Sequence, residues 1–194
     1  MDFRQKYEKN AIILAAGIGT RMVPINTELP KGMLEVNGER LIERIIKQLR
    51  EAKIQEIYIV VGFKHEMYEY LQDRYHVHLI YNPLYAKRNN LYSLAKALDY
   101  LKNTYIIPSD IWLRRNLFLE KSTTSWYMIT NAVDDNSSVR LNRQHELCLI
   151  PKSKSGNAMV GIAFLGVRDI EHIKARIISL TQYDKNKSAF WELA

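Results

Sequence analysis

The chain has 194 residues, 47% of them hydrophobic, which is enough to bury a substantial core. Its formal charge of +7 is compatible with a nucleic acid, an acidic membrane surface or a small polyanion as partner, but the basic residues are dispersed and form no nucleic-acid motif. A single cysteine excludes an internal disulfide framework, and no segment resembles a signal peptide or a membrane span. We therefore expect one cytoplasmic domain over residues 1–194, with no nucleic-acid partner and no membrane insertion.

Apolar runs and helical patterns alternate along the first half of the chain. Strands are predicted at 11–15, 57–61, 77–81 and 104–107, and helices at 41–49, 67–74 and 91–101. In the less regular second half, strands are predicted at 126–132, 140–150 and 159–165, followed by a helix at 170–178. This order predicts an α/β fold, a three-layer α/β/α, Rossmann-like domain with a mostly parallel central sheet. The final apolar pattern is too short for a stable helix, so we expect a C-terminal truncation, or a fused or partner domain beyond Ala194.

The first predicted strand runs directly into a loop of small residues, Ala16-Gly17-Ile18-Gly19-Thr20. Small residues let the backbone approach a ligand and turn several N–H groups towards one point, which suits a phosphate. Arg21 follows at once and Lys31 ten residues later, so two cations join the backbone amides. The pattern predicts a polyphosphate site at the carboxyl end of the first strand, with an ordinary strand–loop–helix connection as the alternative.

Two other phosphate-binding patterns do not match this loop. The dinucleotide-binding fingerprint needs a third glycine where this chain has Met22, and it needs a helix at once, which Pro24 and Pro30 prevent. A Walker loop needs Gly-Lys followed by Ser or Thr, and that string does not occur.

Polar residues follow the third and fourth predicted strands, at Asn82 and Asp110. Because the carboxyl ends of parallel strands meet at one edge of a sheet, both residues should lie near the small-residue loop. A carboxylate at that edge suits a divalent metal, although an Asp that caps a turn explains Asp110 equally well from local sequence.

The loop segment resembles the signature of nucleotidyltransferases that activate sugar and alcohol phosphates, L-A-A-G-x-G-(S/T)-R followed by P-K. The matching residues are Leu14, Ala15, Ala16, Gly17, Gly19, Thr20, Arg21, Pro30 and Lys31. The resemblance implies that the loop and Asn82 bind a nucleotide. It makes Arg21 and Lys31 the candidate catalytic residues, with Arg21 at the leaving β- and γ-phosphates and Lys31 at the α-phosphate or the acceptor phosphate.

A second string, Asn89-Asn90-Leu91-Tyr92-Ser93-Leu94, resembles the LicC-type bacterial phosphocholine cytidylyltransferases, and the likeness runs over essentially the whole chain. That group implies that Asn89 and Asn90 lie beside the nucleotide and Mg²⁺. It also implies that Asp110 and Glu192, the latter in Phe190-Trp191-Glu192, hold the metal. The alternatives are an ordinary helix cap for Asn89 and a solvated helical side chain for Glu192.

The same resemblance implies that CMP passes from CTP to an amino-alcohol phosphate, phosphocholine first among them. A quaternary ammonium favours aromatic neighbours, and the candidates are Tyr92, Trp112 and Trp191. An acid–tryptophan pair typical of choline-specific relatives is replaced by Asn136-Ser137-Ser138-Val139-Arg140, which leaves phosphoethanolamine, 2-aminoethylphosphonate and polyol phosphates open as acceptors. A sugar-1-phosphate nucleotidyltransferase and a catalytically inactive nucleotide-binding regulatory module are the rival hypotheses.

Overall fold

The structure is a computed structural model that describes residues 8–19, 28–118, 122–135, 137, 139–144, 146–151 and 155–194. The strands in these ranges are β1 (Lys9–Ala15), β2 (Glu35–Val36), β3 (Glu39–Arg40), β4 (Glu56–Val61), β5 (His78–Tyr81), β6 (Asn103–Pro108), β7 (Trp126–Asp134), β8 (Val139–Leu141), β9 (Leu147–Leu149) and β10 (Gly156–Leu165). The α-helices are α1 (Leu41–Glu51), α2 (Tyr70–Tyr75), α3 (Asn90–Ala95) and α4 (Ile170–Thr181). Short 3-10 turns lie at Lys31–Met33, His65–Tyr68, Leu98–Tyr100, Asp184–Asn186 and Trp191–Leu193.

Six strands form the central sheet, in the order β5-β4-β1-β6-β10-β7. The first four are mutually parallel, whereas β10 runs antiparallel to both β6 and β7. The prediction of a mostly parallel sheet is therefore confirmed. In register, Leu14 lies opposite Pro108 and Ala15 lies opposite Val61, so these strands end at the same edge.

The chain reverses its direction across the sheet at β1, which has β4 on one side and β6 on the other. Helix α1 follows β1, β2 and β3 in the chain and packs on one face of the central sheet. Helix α3, which precedes β6, packs on the opposite face. Such a switch point opens a crevice at the carboxyl ends of the strands, where ligands of open α/β sheets bind. The fold thus places its crevice at the small-residue loop after β1.

A separate core on each face of the sheet gives the three layers. Side chains of β1, β4 and β6 alternate between the two faces, as the period of a strand requires: Ile13 packs with α1 and Ile12 packs with α3 and α4. Trp191 joins the core on the α3 and α4 face and is 6% exposed. The three-layer α/β/α prediction is confirmed by this arrangement.

Two local predictions were wrong. The strand expected at 140–150 is a small hairpin, in which β8 pairs with β9 outside the central sheet; its Leu149 is exposed although the local pattern is apolar. The helix expected over 91–101 stops at Ala95, and a 3-10 turn follows. There the Tyr100 carbonyl accepts a 2.6 Å hydrogen bond from Asn10 Nδ2, so a tertiary contact fixes the end of that segment.

None of the helices within the described ranges combines the length and the apolar character that a membrane crossing requires.

Candidate active site

The small-residue loop begins between the ends of two neighbouring strands. The Leu14 carbonyl accepts from the Ser109 N–H at 3.2 Å, and the Ala16 carbonyl accepts from the Phe63 N–H at 3.0 Å. Ala15 and Ala16 are buried, whereas Gly17 is exposed. These contacts anchor the start of the loop and leave its glycine end open to solvent.

The two loop glycines have different physical roles. A Cβ added at Gly17 would meet no atom of the described residues within 4 Å, so among those residues the backbone here is open to a ligand. Gly19 has a φ of 75°, in the left-handed region that glycine adopts without strain. Thr20 and Arg21 lie outside the described residues, and their predicted contacts remain predictions.

An ion pair joins the predicted catalytic lysine to the predicted metal ligand. Lys31 begins the 3-10 turn after Pro30, Asp110 lies just beyond β6, and Lys31 Nζ lies 2.7 Å from Asp110 Oδ2. Both side chains are partly exposed, at 21% and 31%. The structure thus brings together two residues that are 79 positions apart, one suited to a phosphate and one suited to a cation.

Close packing beneath this pair explains its placement. A Cβ at Gly32 would lie 3.1 Å from the Tyr68 hydroxyl oxygen and 3.2 Å from Ser109 Cβ, so a larger residue here would push the turn or its neighbours apart by a few tenths of an ångström. Tyr68 is fully buried, and burial raises the pKa of its phenol. Gly32, Tyr68 and Ser109 were not among the residues predicted from the sequence. The Lys31-Gly32 dipeptide after Pro30 is a signal that could have found the first of them.

Asn82 lies at the expected edge but uses both ends of its amide within the protein. It is fully buried, its Nδ2 donates to Ser93 Oγ at 3.2 Å, and its Oδ1 accepts from the Leu84 N–H at 3.0 Å. These bonds tie the end of β5 to α3. A direct contact between this amide and a nucleotide therefore remains a prediction.

The two predicted nucleotide-binding asparagines contact the C-terminal segment. Asn89 caps α3, since its Oδ1 accepts from the Asn90 N–H at 2.7 Å, and its Nδ2 donates to the Ser188 carbonyl at 3.0 Å. Asn90 Oδ1 accepts from the Trp191 N–H at 2.8 Å. The string that begins α3 therefore lies directly against the turn that carries Glu192.

The Glu192 side chain is partly buried, and its carboxylate is shielded from solvent. Its Oε1 accepts a 2.9 Å hydrogen bond from the Tyr127 hydroxyl, whereas its Oε2 is buried and has no hydrogen-bond partner among the described residues. Burial raises the pKa of the Glu192 carboxyl, although the bond from Tyr127 acts in the opposite direction. Tyr127 was not found by sequence reasoning, because in sequence it is one apolar residue of a strand.

The three aromatic residues predicted to contact the acceptor do not form one group. Trp112 stacks on the Arg44 guanidinium of α1, 4.2 Å from ring centroid to carbon, on one face of the sheet. Tyr92 and Trp191 lie on the other face, where the Tyr92 hydroxyl donates to the Thr181 carbonyl at 2.6 Å. No ring contact joins any two of these three residues in the described chain. Trp191 instead lies 5.8 Å from Tyr127, measured between ring centroids.

Two carboxylates, those of Asp110 and Glu192, are the predicted donors for a divalent cation. No group of three or more His, Cys, Asp or Glu side chains within the described ranges is arranged to hold a metal. Magnesium in nucleotide sites, however, is usually held by one or two carboxylates together with phosphate oxygens and water. Asp110 beside the loop and the unpartnered Oε2 of Glu192 would supply such a pair.

The chain is similar in sequence to known proteins over most of its length. Residues 11–129 match the family model described as a MobA-like NTP transferase domain. The choline-phosphate cytidylyltransferase of Haemophilus influenzae is 35% identical over 94% of this chain and 81% of its own length. The 2-aminoethylphosphonate cytidylyltransferase of Lancefieldella rimae is 30% identical over 94% of this chain and 77% of its own length.

A solved structure is similar over the same extent. The CTP:phosphocholine cytidylyltransferase LicC from Streptococcus pneumoniae superposes with a TM-score of 0.85 at 33% identity, covering 95% of this chain and 82% of that one. The range matched by the family model, residues 11–129, contains the small-residue loop, Lys31 and Asp110. Lys31 and Asp110 form an ion pair at the edge of the sheet. The chain therefore belongs to the MobA-like NTP transferase family of nucleotidyltransferases, and within it resembles the choline-phosphate cytidylyltransferases.

Proposed function

We propose that this chain is a magnesium-dependent cytidylyltransferase, which transfers CMP from CTP to an amino-alcohol phosphate and releases pyrophosphate. The observation that carries the proposal is the meeting of the small-residue loop, Lys31 and Asp110 at the switch point of the sheet. The named activities of the similar proteins support CTP as the nucleotide and a phosphorylated or phosphonylated amino alcohol as the acceptor.

The reaction asks for positioning and charge neutralisation more than for proton transfer. A phosphate monoester is largely ionised at neutral pH, with a second pKa of about 6, so its oxygen attacks the α-phosphorus of CTP without a general base. A P–O–P bond forms between the acceptor and CMP. The bond breaks between the α-phosphorus and the oxygen that joins it to the β-phosphorus, and the electron pair of that bond leaves with pyrophosphate.

Each group at the edge has a defined task in this reaction. The backbone of the Ala15–Thr20 loop binds the nucleotide, and Lys31 stabilises charge at the α-phosphate or holds the acceptor phosphate. Arg21 neutralises charge on the leaving β- and γ-phosphates, while Asn89 and Asn90 shape the site beside the nucleotide. Asp110 and Glu192 would hold Mg²⁺, which neutralises charge on the triphosphate when bound.

The acceptor we propose first is phosphocholine. This chain is similar to a choline-phosphate enzyme and to a 2-aminoethylphosphonate enzyme over more than three quarters of each enzyme's length. Both headgroups are therefore compared in the test below. The Trp191 and Tyr127 rings lie 5.8 Å apart between centroids, and the Tyr127 hydroxyl donates to the Glu192 carboxylate. A cationic headgroup beside such rings gains cation–π attraction.

The test is pyrophosphate release with Mg²⁺, using CTP, UTP, ATP, GTP or dTTP against each of five acceptors. The acceptors are phosphocholine, phosphoethanolamine, 2-aminoethylphosphonate, glycerol 3-phosphate and glucose 1-phosphate. We expect release with CTP and an amino-alcohol phosphate or phosphonate, and a rate below detection when Mg²⁺ is removed by chelation. Release with glucose 1-phosphate would assign the chain to the sugar enzymes, and nucleotide binding without any release would favour the regulatory module.

A further inference from the structure

The Trp191–Leu193 turn, which carries Glu192, is held by two elements that are distant in sequence. Asn90, at the start of α3, accepts the Trp191 N–H at 2.8 Å. Tyr127, on β7, donates its hydroxyl to Glu192 Oε1 at 2.9 Å. The first bond fixes the backbone at the beginning of the turn and the second fixes the end of the side chain.

Further contacts seat the segment that precedes this turn against the start of α3. The Asn89 N–H donates to the Lys187 carbonyl at 2.8 Å, and Asn89 Nδ2 donates to the Ser188 carbonyl. Arg88 forms an ion pair with Asp184. The motif at 88–90 therefore holds the chain from 184 to 191, besides any contact with a nucleotide.

These contacts leave one carboxylate oxygen of Glu192 buried and without a hydrogen bond among the described residues. Such buried polar atoms are rare in folded proteins, because each loses its hydration without replacement. Oε1 is already used by Tyr127, so Oε2 is the atom that remains to bind a cation.

The Tyr127 hydroxyl, which holds the Glu192 carboxylate, lies near the end of β6. A Cβ at Gly161, on β10, would lie 3.9 Å from the Tyr127 hydroxyl and 2.7 Å from Pro108 Cγ. Pro108 ends β6 and stands two residues before Asp110. Tyr127 and Glu192 therefore adjoin the same strand end that carries the other carboxylate.

We propose that Asn90 and Tyr127 are positioning residues for Glu192, Asn90 through the backbone of its turn and Tyr127 through Oε1, so that Oε2 is presented to Mg²⁺. This inference rests on the proposed function, in which Glu192 is a metal ligand. A residue that only anchors the C-terminal segment would affect the stability of the fold, but it would not change how the folded protein responds to Mg²⁺.

The first test is Tyr127→Phe, which removes one hydroxyl and keeps the ring. In the full chain, Mg²⁺ is titrated against initial rate at fixed CTP and acceptor. It is also titrated against melting temperature with CTP present and no acceptor, a readout that does not depend on turnover. We expect the midpoint of both titrations to rise about tenfold, because groups that orient a metal ligand typically contribute 10- to 100-fold in metal affinity.

The matched control is Tyr58→Phe. The Tyr58 hydroxyl donates to Glu56 Oε2 at 2.7 Å, so this change also removes a tyrosine–glutamate hydrogen bond, but at the amino end of β4, the end opposite the candidate site. Its Mg²⁺ midpoints should equal those of the unmodified chain.

Asn90 is tested through its acceptor atom. Asn90→Asp keeps an oxygen for the Trp191 N–H and Asn90→Ala removes it. Amide hydrogen exchange at Trp191 should be about three- to tenfold faster in Asn90→Ala, because one hydrogen bond is lost, and close to that of the unmodified chain in Asn90→Asp. Asn90→Ala should also raise the Mg²⁺ midpoint, and it takes over the metal test if Tyr127→Phe does not fold.

The outcomes separate this inference from the proposed function. Mg²⁺-dependent transfer by the unmodified chain, with raised midpoints in Tyr127→Phe and Asn90→Ala, supports the positioning role. The same dependence with unchanged midpoints in both variants overturns that role and leaves the proposed function intact. An unmodified chain that transfers CMP equally well without Mg²⁺ overturns the metal part of the proposed function, and the positioning role with it.

Discussion

Lys31 and Asp110 form an ion pair at the edge of the sheet where the small-residue loop begins, and both are assigned to the proposed reaction. Replacing Lys31 by Ala should lower kcat/KM for cytidylyl transfer about 10²- to 10³-fold, the typical effect of removing one preorganised charge from a transition-state site. The free energy of unfolding should change by less than about 1 kcal/mol, because a partly exposed ion pair contributes little to stability. Steady-state kinetics and urea denaturation measure the two quantities.

Lys174→Ala is the matched control for that change. Lys174 lies on α4 and forms a surface ion pair with Glu171 at 3.7 Å, so its removal also deletes one lysine and one pair. Its kcat/KM should remain within twofold of the unmodified chain. Near-normal turnover in Lys31→Ala would remove Lys31 from the reaction.

Asp110→Asn tests the other member of the pair. Asparagine keeps the size of the side chain but lacks the negative charge that attracts a divalent cation. We expect transfer to fall below about 1% of the unmodified rate, with no recovery at saturating Mg²⁺. Asp73→Asn, an exposed change on α2, serves as control. Activity that survives in Asp110→Asn at saturating metal would contradict the assignment.

Glu43 is a charged residue that we expect to stabilise the fold and to take no part in the reaction. It lies on α1, is 8% exposed, and accepts hydrogen bonds from Tyr70 at 2.7 Å and Tyr75 at 2.9 Å. Burial acts to raise the pKa of its carboxyl, but these bonds and the nearby charges of Arg74 and Arg40 outweigh burial and hold the pKa below its ordinary value of 4.5. Glu43→Gln should cost about 1–3 kcal/mol of unfolding free energy at pH 7.

The sign of the pH effect follows from that lowered pKa. A carboxyl whose pKa is lower in the folded state stabilises the fold fully above its unfolded pKa, and this contribution is lost as pH falls through the folded pKa. The stability difference between the unmodified chain and Glu43→Gln should therefore shrink below about pH 4.5. Urea denaturation at pH 7 and pH 3.5 measures it, with the exposed Glu171→Gln as control. A difference that stays constant with pH would contradict the ionised network.

Strand β10 is irregular where it passes the end of β6. The register between β10 and β7 shifts between Met159 and Ala163, and Gly161 within that shift has a φ of 88°. A Cβ there would meet Pro108 Cγ at 2.7 Å. Gly161→Ala should therefore lower the unfolding free energy by about 1–3 kcal/mol, through backbone strain and overpacking together.

Gly17→Ala provides the contrast for Gly161→Ala, because its Cβ would meet nothing within 4 Å in the part of the chain that the structure describes. Its unfolding free energy should stay within about 0.5 kcal/mol of the unmodified chain, while its affinity for CTP should fall. Urea denaturation and equilibrium dialysis with CTP separate the two effects. Equal stability losses in both variants would contradict the packing at β10.

Elements with strong periodicity were predicted correctly, and those fixed by distant contacts were not. Helix α1 carries apolar residues on one face over 11 residues, and the structure places it where the pattern did. The segment after Ala95 is set by the Asn10–Tyr100 contact, 90 positions apart, which local sequence does not contain. The β8–β9 hairpin was predicted as one strand because its apolar residues follow the pattern of a buried strand, although Leu149 is 85% exposed.

Across the whole molecule, the mostly parallel sheet followed from the alternation of strands and helices, and the rule that ligands bind at the carboxyl ends of such strands placed the loop, Lys31 and Asp110 near one another. The strand order itself was not predicted. The Tyr127–Glu192 and Asn90–Trp191 bonds span 65 and 101 positions. Their existence depends on how β7 and the C-terminal turn pack against α3, which no local pattern records. The sequence thus predicted the nucleotide side of the site better than the side that carries Glu192.

The most direct test of the central claim is phosphorus NMR of one reaction: the unmodified chain with CTP, phosphocholine and Mg²⁺. We expect the triphosphate and phosphomonoester signals to decline together, while a diphosphate diester and pyrophosphate appear in a one-to-one ratio. Asp110→Asn should leave the spectrum unchanged over the same time. Loss of the triphosphate at the same rate without an acceptor, or no change when each amino-alcohol phosphate and phosphonate is supplied in turn, would contradict cytidylyl transfer by this chain.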